Sequence, residues 1–268
     1  MIEVLNLTQA DWFKLRKSPA LKIMLAVTTA CAAVMALFAY AIPRGTVDAA
    51  LTGLGFMFSD VNVISIVGAV MASLLICGDF DHKTIHDAIA GGHSRKSIIG
   101  SKAIVLSFAL ALLLLPYALV TGVAIATGKD FGMGGVAVGF LHVLSIEAGS
   151  ALSAAEAAKL VLVSLVMCFV YAAQISVCIP LAFALKKPLF VIAIYYGFSI
   201  LSAQLIAFAR SNDVFDRLFS FTPFGGNHAF LTLDSGAGDI IQALLVSAVF
   251  IAAMSAVTYG AFRRAEIK

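Results

Sequence analysis

Charged residues are scarce in this sequence. Only 12% of its 268 residues are Asp, Glu, Lys or Arg, whereas 61% are hydrophobic. Soluble domains have about a quarter of their residues charged and about half apolar. The excess of apolar side chains is therefore expected to face lipid, which excludes an ordinary soluble domain.

Sequence motifs of nucleotide binding and catalysis are also missing. The segment Thr127-Gly128-Lys129-Asp130 is the nearest approach to a phosphate-binding loop, but it lacks the first glycine and the hydroxyl residue after the lysine. No H-E-x-x-H, C-x-x-C or G-x-S-x-G pattern occurs. We therefore predict that this chain is not itself an enzyme and binds no cofactor of its own.

Metal ligands and disulfide patterns are equally sparse. The four cysteines have neither zinc-site nor disulfide-framework spacing, and we expect buried free thiols at Cys31, Cys77, Cys168 and Cys178. His82 and His86 lie four residues apart and could share a metal on a helix, but no third ligand follows at a clear spacing. The sequence therefore predicts no metal site.

Long apolar runs dominate what is present. They are 17 to 27 residues long, close to the roughly 20 helical residues that cross a bilayer, and none alternates with period 2 as barrel strands do. The second run is the shortest, and its helix can begin as early as Thr52. The runs cover residues 21–42, 61–77, 101–127, 159–185, 189–208 and 240–262. We predict an all-α polytopic membrane protein, a single domain of residues 1–268 with six transmembrane helices.

The basic residues predict the orientation of these spans. Of the 18 Lys and Arg residues, 13 fall before or at the start of the first span, between spans two and three or at the start of the third, between spans four and five, and in the C-terminal tail. Loops on the cytoplasmic side carry the excess of Lys and Arg. We therefore expect both termini and residues 78–100 to be cytoplasmic.

Residues 1–20 are too polar to span a membrane. Trp12, Phe13 and Leu15 gather on one side of a predicted helix, whereas Asp11 and Lys14 lie on the other. This pattern favours an interfacial helix on the inner membrane surface, and a frayed tail is the alternative. Pro19 is expected to end this helix.

The polar segment of residues 78–100 separates the second and third spans. Asp79 and Asp81 are expected to begin a short helix, Ile85 and Ile89 to give it an apolar edge, and Gly91-Gly92 to end it in a left-handed conformation. Ser94 is placed to cap the next helix. Such an apolar edge beside a charged face predicts docking of a soluble partner.

Residues 209–239 form the larger aromatic loop on the predicted outer side. A short amphipathic helix is expected there, with Phe215 and Phe219 on one face and Phe224 following it. These aromatic residues could contact a substrate, or they could form an interfacial belt of the kind common in membrane proteins.

Prolines and one acid mark the spans themselves. Pro116 and Pro180 are expected to kink the third and fourth spans, either for packing or as a moving hinge. Asp60, near the outer end of the second span, is the only acidic residue that approaches membrane depth. Ion-coupled carriers usually keep such residues inside their spans, so the sequence offers little machinery for ion coupling.

This chain resembles the permease subunits of type-2 ATP-binding-cassette exporters, most of all the small bacterial ones associated with peptide-antibiotic resistance and immunity. The resemblance rests on the N-terminal run of residues 12–17, the six spans, and a motif between spans two and three. That motif comprises Asp79, Lys83-Thr84-Ile85, Ser94-Arg95 and Lys102. Two departures are Asp79-Phe80-Asp81, where many members have Glu, and Gly91-Gly92-His93, where many have Pro before Ser-Arg.

The resemblance implies a function. It makes residues 78–100 a coupling segment that docks on a separate cytoplasmic ATPase subunit, present in two copies, which would bind ATP and Mg. It also implies a second permease copy or homologue, a bacterial plasma (inner) membrane, an amphipathic cargo such as an antimicrobial peptide or drug, and no nucleic-acid partner. The implied coupling residues are Asp79, Asp81, Lys83, Thr84, Ile85, Asp87, Ile89, Ser94 and Arg95. An ion-coupled carrier and an ATPase-independent assembly factor or membrane enzyme are the alternatives.

Overall fold

A computed structural model of the chain describes residues 2–134, 137–149, 152–209, 211–226 and 228–264, and within these ranges all the regular structure is helical. A 3-10 turn at Ala49–Leu51 precedes α3. The helices are α1 (Ile2–Lys17), α2 (Pro19–Ala41), α3 (Thr52–Met57), α4 (Asp60–Asp81), α5 (Thr84–Ala90), α6 (Arg95–Ala126), α7 (Phe140–Glu147), α8 (Ala154–Ile175), α9 (Cys178–Leu185), α10 (Pro188–Ala209), α11 (Asp213–Phe219) and α12 (Ala237–Arg264).

Six helical stretches are long and apolar enough to cross a membrane, as the sequence predicts. They are Pro19–Ala41, Ala49–Asp81, Arg95–Ala126, Ala154–Leu185, Pro188–Ile206 and Ala237–Arg263. Each contains most or all of one predicted apolar run. The fold is therefore that of a multi-pass α-helical membrane protein.

Two of these stretches are broken rather than continuous. A helix does begin at Thr52, as expected for the second stretch, but it ends at Met57 and α4 starts afresh at Asp60. The fourth stretch is interrupted between α8 and α9, about one turn before Pro180, because proline cannot donate the backbone hydrogen bond that would continue the helix. In contrast, α6 continues through Pro116.

Helix α4 is the centre of the bundle. It contacts α2, α6, α8, α9 and α10, and 67% of the most apolar window of its stretch is buried, against 11% for the stretch formed by α12. Lipid is as apolar as a side-chain core, so exposed apolar faces on the outer helices are expected in a membrane. Helix α6 also connects many elements of the bundle, because it packs on α1, α2, α4, α8 and α12.

The contacts divide the bundle into two ends. The basic end, as we call it, contains α1, α5, the start of α6 and the end of α12; there Lys96 Nζ lies 5.1 Å from the ring centroid of Tyr259. At the opposite end, Arg44 donates a hydrogen bond to the Asp130 carbonyl oxygen (2.9 Å) and Lys159 donates one to the Leu233 carbonyl oxygen (3.0 Å). Met1, Arg210, Asn227 and residues 265–268, which fall within the predicted terminal and loop segments, lie outside the described residues.

Candidate functional site

The link between α4 and α6 contains the short helix predicted from the sequence, although it begins later. The prediction that Asp79 and Asp81 start this helix is wrong, because both belong to the last turn of α4. Phe80, which lies between these two residues in the sequence, packs against Phe183 and Phe262. These contacts hold the end of α4 in the bundle. Helix α5 begins at Thr84, after Lys83 has turned the chain in a left-handed conformation (φ 58°).

The end of α5 and the start of α6 follow the sequence more closely. Gly92 adopts the expected left-handed conformation (φ 89°), whereas Gly91 does not. Ser94 is the N-cap of α6, and its hydroxyl oxygen accepts a hydrogen bond from the Ser97 amide at 3.1 Å. The segment is thus a compact helix–turn–helix joint between two candidate spans.

Ile85 does not form an exposed edge of α5. Its side chain is only 2% exposed and belongs to the main hydrophobic core, and Ile89 is partly buried against the same core. The expectation that these two residues face a soluble partner is therefore corrected: they anchor α5 to its own chain. The two isoleucines share the one apolar face of a seven-residue helix, and that face is used internally.

The surface that α5 leaves exposed is polar. It comprises Asp81, His82, Lys83, Asp87, Ala90, Gly91 and Gly92. We call this set the α5 outer face. It includes three members of the predicted coupling set, Asp81, Lys83 and Asp87, which a partner at the basic end could reach.

A buried ion-pair network lies beneath α5. Lys102 of α6 is 3% exposed and pairs with Asp11 of α1 at 2.8 Å and with Asp79 of α4. Ser101 also donates a hydrogen bond to Asp11 (2.8 Å), and Lys14 reaches Asp79 at 3.4 Å. Three helices are thereby joined by charges that little water can screen.

Asp11 is the site residue that sequence reasoning misplaced. Its position among Glu3, Lys14 and Lys17 predicts a solvated face of α1, yet its side chain is buried beside Lys102 of α6, because a buried lysine requires a counter-charge. The signal that could have found it is Lys102 itself, a lysine at the start of a long apolar run with no acid near it on the same helix.

Glu3 fastens the other end of the segment to α1. Its carboxylate accepts a hydrogen bond from the Ser94 amide at 2.6 Å and lies 3.4 Å from His93 Nδ1. These contacts, the Ser94 amide first among them, hold the pKa of Glu3 below its usual value. Helix α1 therefore spans the whole link between α4 and α6, from Ser94 at one end to Asp79 at the other.

Arg95 connects the segment to the last helix. Its guanidinium donates to the Phe262 carbonyl oxygen and lies 4.9 Å from the Phe262 ring centroid. Phe262 packs on Phe183 of α9 at 4.9 Å between ring centroids. Arg95 and Phe262 therefore connect the α5–α6 joint to α9 and α12.

The three aromatic and aliphatic residues predicted for the interfacial helix take different positions on α1. Leu15 is buried in the core, Trp12 is partly buried beside Val105 and Phe108 of α6, and Phe13 is 62% exposed. The helix ends at Lys17, and Pro19 begins α2 with Ser18 as its cap. Helix α1 thus packs on α6 through one face and leaves Phe13 pointing outward.

At the opposite end, the predicted short helix forms as α11. Phe215 stacks on Phe219 at 5.5 Å between ring centroids and meets Phe208 of α10 edge-on at 5.1 Å. Phe224 is 8% exposed and packs against Phe198 and Phe250, so it does not offer a surface to a substrate. Phe219 lines a cavity of about 430 Å³ together with Asp213, Asp216, Asp239, His228 and Phe230.

Asp60 is fully buried at the opposite end of α4. Its Oδ2 accepts hydrogen bonds from the Phe140 amide (3.0 Å) and from the Tyr171 hydroxyl, whereas no donor in the described part of the chain reaches its Oδ1. Gly139 precedes α7 with φ 66°, and a Cβ there would collide with Asp60 and Tyr171. Asp60 thus fastens α7 to α4 and α8.

Neither a metal centre nor a disulfide is seen in the described ranges. No group of three His, Cys, Asp or Glu residues there could hold a metal, so His82 and His86 are not joined by a third candidate ligand. All four cysteines are free; Cys77 and Cys178 are buried as predicted, whereas Cys31 and Cys168 are only partly so.

Comparisons with known proteins find no matching family model and no similar curated protein. The class that the fold defines is a multi-pass α-helical membrane protein whose basic end carries a short helical joint tied to several spans. A more specific assignment rests on the geometry of that joint.

Proposed function

We propose that this chain is the permease subunit of a type-2 ATP-binding-cassette exporter and that the α5 outer face docks on a separate cytoplasmic ATPase. The observation that carries the proposal is the placement of α5. It sits at the basic end between the second and third candidate spans, is fixed to its own bundle on one side, and presents a polar surface on the other.

The attachments of α5 suit it to transmit force. Ile85 ties the helix to the core, the Asp79–Lys102–Asp11 network ties its two flanking helices to α1, and Arg95 ties the start of α6 to Phe262. A push on α5 by closing ATPase subunits would therefore move α4, α6 and α12 together. Rigid elements with a few fixed contacts are the usual carriers of such coupling.

The docking contact we propose is polar. Exposed charge pairs contribute about 0–1 kcal/mol each, so removing one charge should change little. Reversing opposite charges on the same face replaces attraction by repulsion. Lys83 and Asp87 are exposed residues of opposite charge on the α5 outer face, and reversing them disturbs no ion pair seen in the described chain.

The test is co-expression with a cytoplasmic ATPase that carries a Walker A motif, to be sought first among the neighbouring reading frames. The Lys83→Glu/Asp87→Lys double variant should weaken copurification of that ATPase and lower substrate-stimulated ATP turnover by about tenfold. Lys22→Glu, an exposed charge reversal at the same end on α2, is the matched control and should change neither. Full copurification and turnover in the double variant would remove α5 from the interface and with it this proposal.

The remaining parts of the proposal concern cargo and assembly. The cavity of about 430 Å³ at the opposite end combines phenyl rings with three carboxylates, which suits a cargo with apolar and cationic groups such as an antimicrobial peptide or drug. The largely exposed apolar faces of α2, α10 and α12 leave room for a second copy or a homologous permease. The basic end would face the cytoplasm of a bacterial cell, with the chain in the plasma membrane.

An ion-coupled carrier is the second candidate function, and Asp60 is the observation that favours it. Asp60 is fully buried in a candidate span, and among the described residues its Oδ1 has no hydrogen-bond partner. Carriers use buried carboxyl groups of this kind to bind a coupling ion. Under this alternative, Asp60→Asn would abolish transport, and transport would survive ATP depletion but stop when the ion gradient is dissipated. Under the exporter proposal the dependence on ATP and on the gradient is reversed.

A further inference from the structure

A lateral groove opens on the outside of the bundle between α6, α8 and α12. It has a volume of about 570 Å³ and is lined almost entirely by apolar side chains, among them Ala103, Phe108, Leu165, Phe169, Ala248 and Ala252. Phe108 and Leu165 are more than 60% exposed, so the groove faces away from the bundle interior. The hydroxyl of Ser107 is used within α6, where it donates to the Ala103 carbonyl oxygen at 2.9 Å.

Two cations mark the basic end of the same groove. Lys96 Nζ lies over the ring of Tyr259, and Tyr259 lines a second surface cavity at the end of α12 together with Arg263. Lys96 shares a face of α6 with Ala103 and Ser107, because these residues lie seven and eleven positions further along the helix. Arg263 shares a face of α12 with Ala252 for the same reason. Helix periodicity therefore places both cations on the faces of α6 and α12 that line the groove, displaced toward the basic end.

The spacing along this surface matches half of a bilayer. At 1.5 Å per residue, Lys96 and Ser107 are about 16 Å apart along α6. Half of a bilayer's hydrocarbon core is about 15 Å thick. With Lys96 and Arg263 at the headgroup level, the groove lies at the depth of the acyl chains of the same leaflet.

The charge at the headgroup level is of one sign. Residues 95–102 of α6 and 254–264 of α12 contain no Asp or Glu, while both Lys96 and Arg263 are exposed. An anionic headgroup would be attracted there, whereas a zwitterionic one would gain little. An apolar chain attached to that headgroup would cover side chains that otherwise form a pocket.

We propose that the groove between α6, α8 and α12 binds one anionic phospholipid, with an acyl chain against Ala248 and Ala252 and the phosphate beside Lys96 and Arg263. This site lies on a different face from α5 and does not depend on an ATPase partner. It would hold the end of α12 against α6, where Arg95 already contacts Phe262.

Spin-labelled lipids test this proposal directly. The purified protein is reconstituted in phosphatidylcholine vesicles containing a trace of spin-labelled phosphatidylglycerol or spin-labelled phosphatidylcholine, and the motionally restricted fraction of each label is measured. A basic residue near a membrane surface strengthens anionic-lipid binding by about fivefold. The restricted fraction should therefore be markedly larger for phosphatidylglycerol, and Lys96→Gln/Arg263→Gln should remove the difference, whereas Lys22→Gln should not.

The acyl-chain half of the site has its own matched pair of variants. Ala252→Phe fills the groove, so the number of motionally restricted lipids should fall by about one per chain. Ala253→Phe changes an exposed neighbouring position outside the groove and should leave that number unchanged. Equal restriction of both labels by the unaltered protein would overturn the proposal. So would an unchanged restricted fraction in Ala252→Phe, and if crosslinking then showed fewer dimers, the occupant would be a second copy of this chain.

Discussion

Asp11 of α1 and Lys102 of α6 form a buried ion pair at 2.8 Å although 91 positions separate them in the chain. Lys102 also pairs with Asp79, so one lysine serves two carboxylates on two different helices. This arrangement makes α1 part of the bundle. It also places a buried cluster of charges directly beneath the candidate coupling helix.

Removal of Lys102 should be more damaging than removal of either acid. Lys102→Met leaves two carboxylates without their cation, and loss of one partner of a buried pair costs about 3–5 kcal/mol. Asp11→Asn leaves Lys102 paired with Asp79 and can still accept from Ser101, so about 1–3 kcal/mol is expected. Thermal unfolding in detergent measures both, with the exposed Asp81→Asn as control. Equal effects of Lys102→Met and Asp81→Asn would contradict the network.

Gly139 and Gly134 provide a matched test of the Asp60 contact. Both have φ 66°, but a Cβ at Gly134 meets nothing within 4 Å, whereas one at Gly139 collides with Asp60 and Tyr171. Gly134→Ala should cost only the roughly 1–2 kcal/mol of left-handed backbone strain. Gly139→Ala should lower the melting temperature considerably more, because its backbone (φ 66°, ψ −137°) is close to a region that only glycine adopts freely and because the new Cβ also displaces the buried carboxylate. Similar melting temperatures for the two variants would mean that α7 is not held by Asp60.

Trp12 and Phe13 should respond differently to replacement by serine. Trp12 packs beside α6, so Trp12→Ser should loosen α1 from the bundle by up to about 1.5–3 kcal/mol. Phe13 is exposed, so Phe13→Ser should weaken only the contact of α1 with the membrane surface. The loosening of α1 is measured as the rate of trypsin cleavage after Arg16 and Lys17, in membranes that expose the basic end to the protease. Faster cleavage in Trp12→Ser is expected with detergent as well as with lipid, whereas Phe13→Ser should be faster only with lipid.

The predicted orientation is tested by cysteine labelling of intact cells. Ala90→Cys lies in the exposed part of α5, and Gly236→Cys lies exposed at the opposite end before α12. A membrane-impermeant maleimide added outside should modify Gly236→Cys and not Ala90→Cys, and inside-out vesicles should show the reverse. The unaltered chain, whose four cysteines are buried or partly buried, is the background control. Labelling of Ala90→Cys from outside would mean that the true orientation is the reverse of the predicted one.

Helix existence and approximate bounds follow from the sequence because they depend on local chemistry. Lengths of apolar runs predict the six candidate spans, Pro19 predicts the boundary between α1 and α2, and Ser94 predicts the start of α6. The break before Pro180 has the same local origin. The break at Phe58–Ser59 and the late start of α5 are less visible, since no proline marks either and neither Ser59 nor Lys83 makes a side-chain cap hydrogen bond.

The direction in which each side chain points was decided by the tertiary structure. An isoleucine on a seven-residue helix can face a partner or its own bundle with the same local pattern, and only the proximity of α6 and α4 determines that Ile85 points inward. Likewise, nothing near Asp11 in the sequence reveals Lys102. Composition and charge distribution by themselves determined the membrane class, the number of candidate spans and the position of the polar joint, because lipid selects for apolar length. The ion pairs, the buried face of α5 and the groove beside α12 required the packed helices, because each joins residues that are distant in the chain.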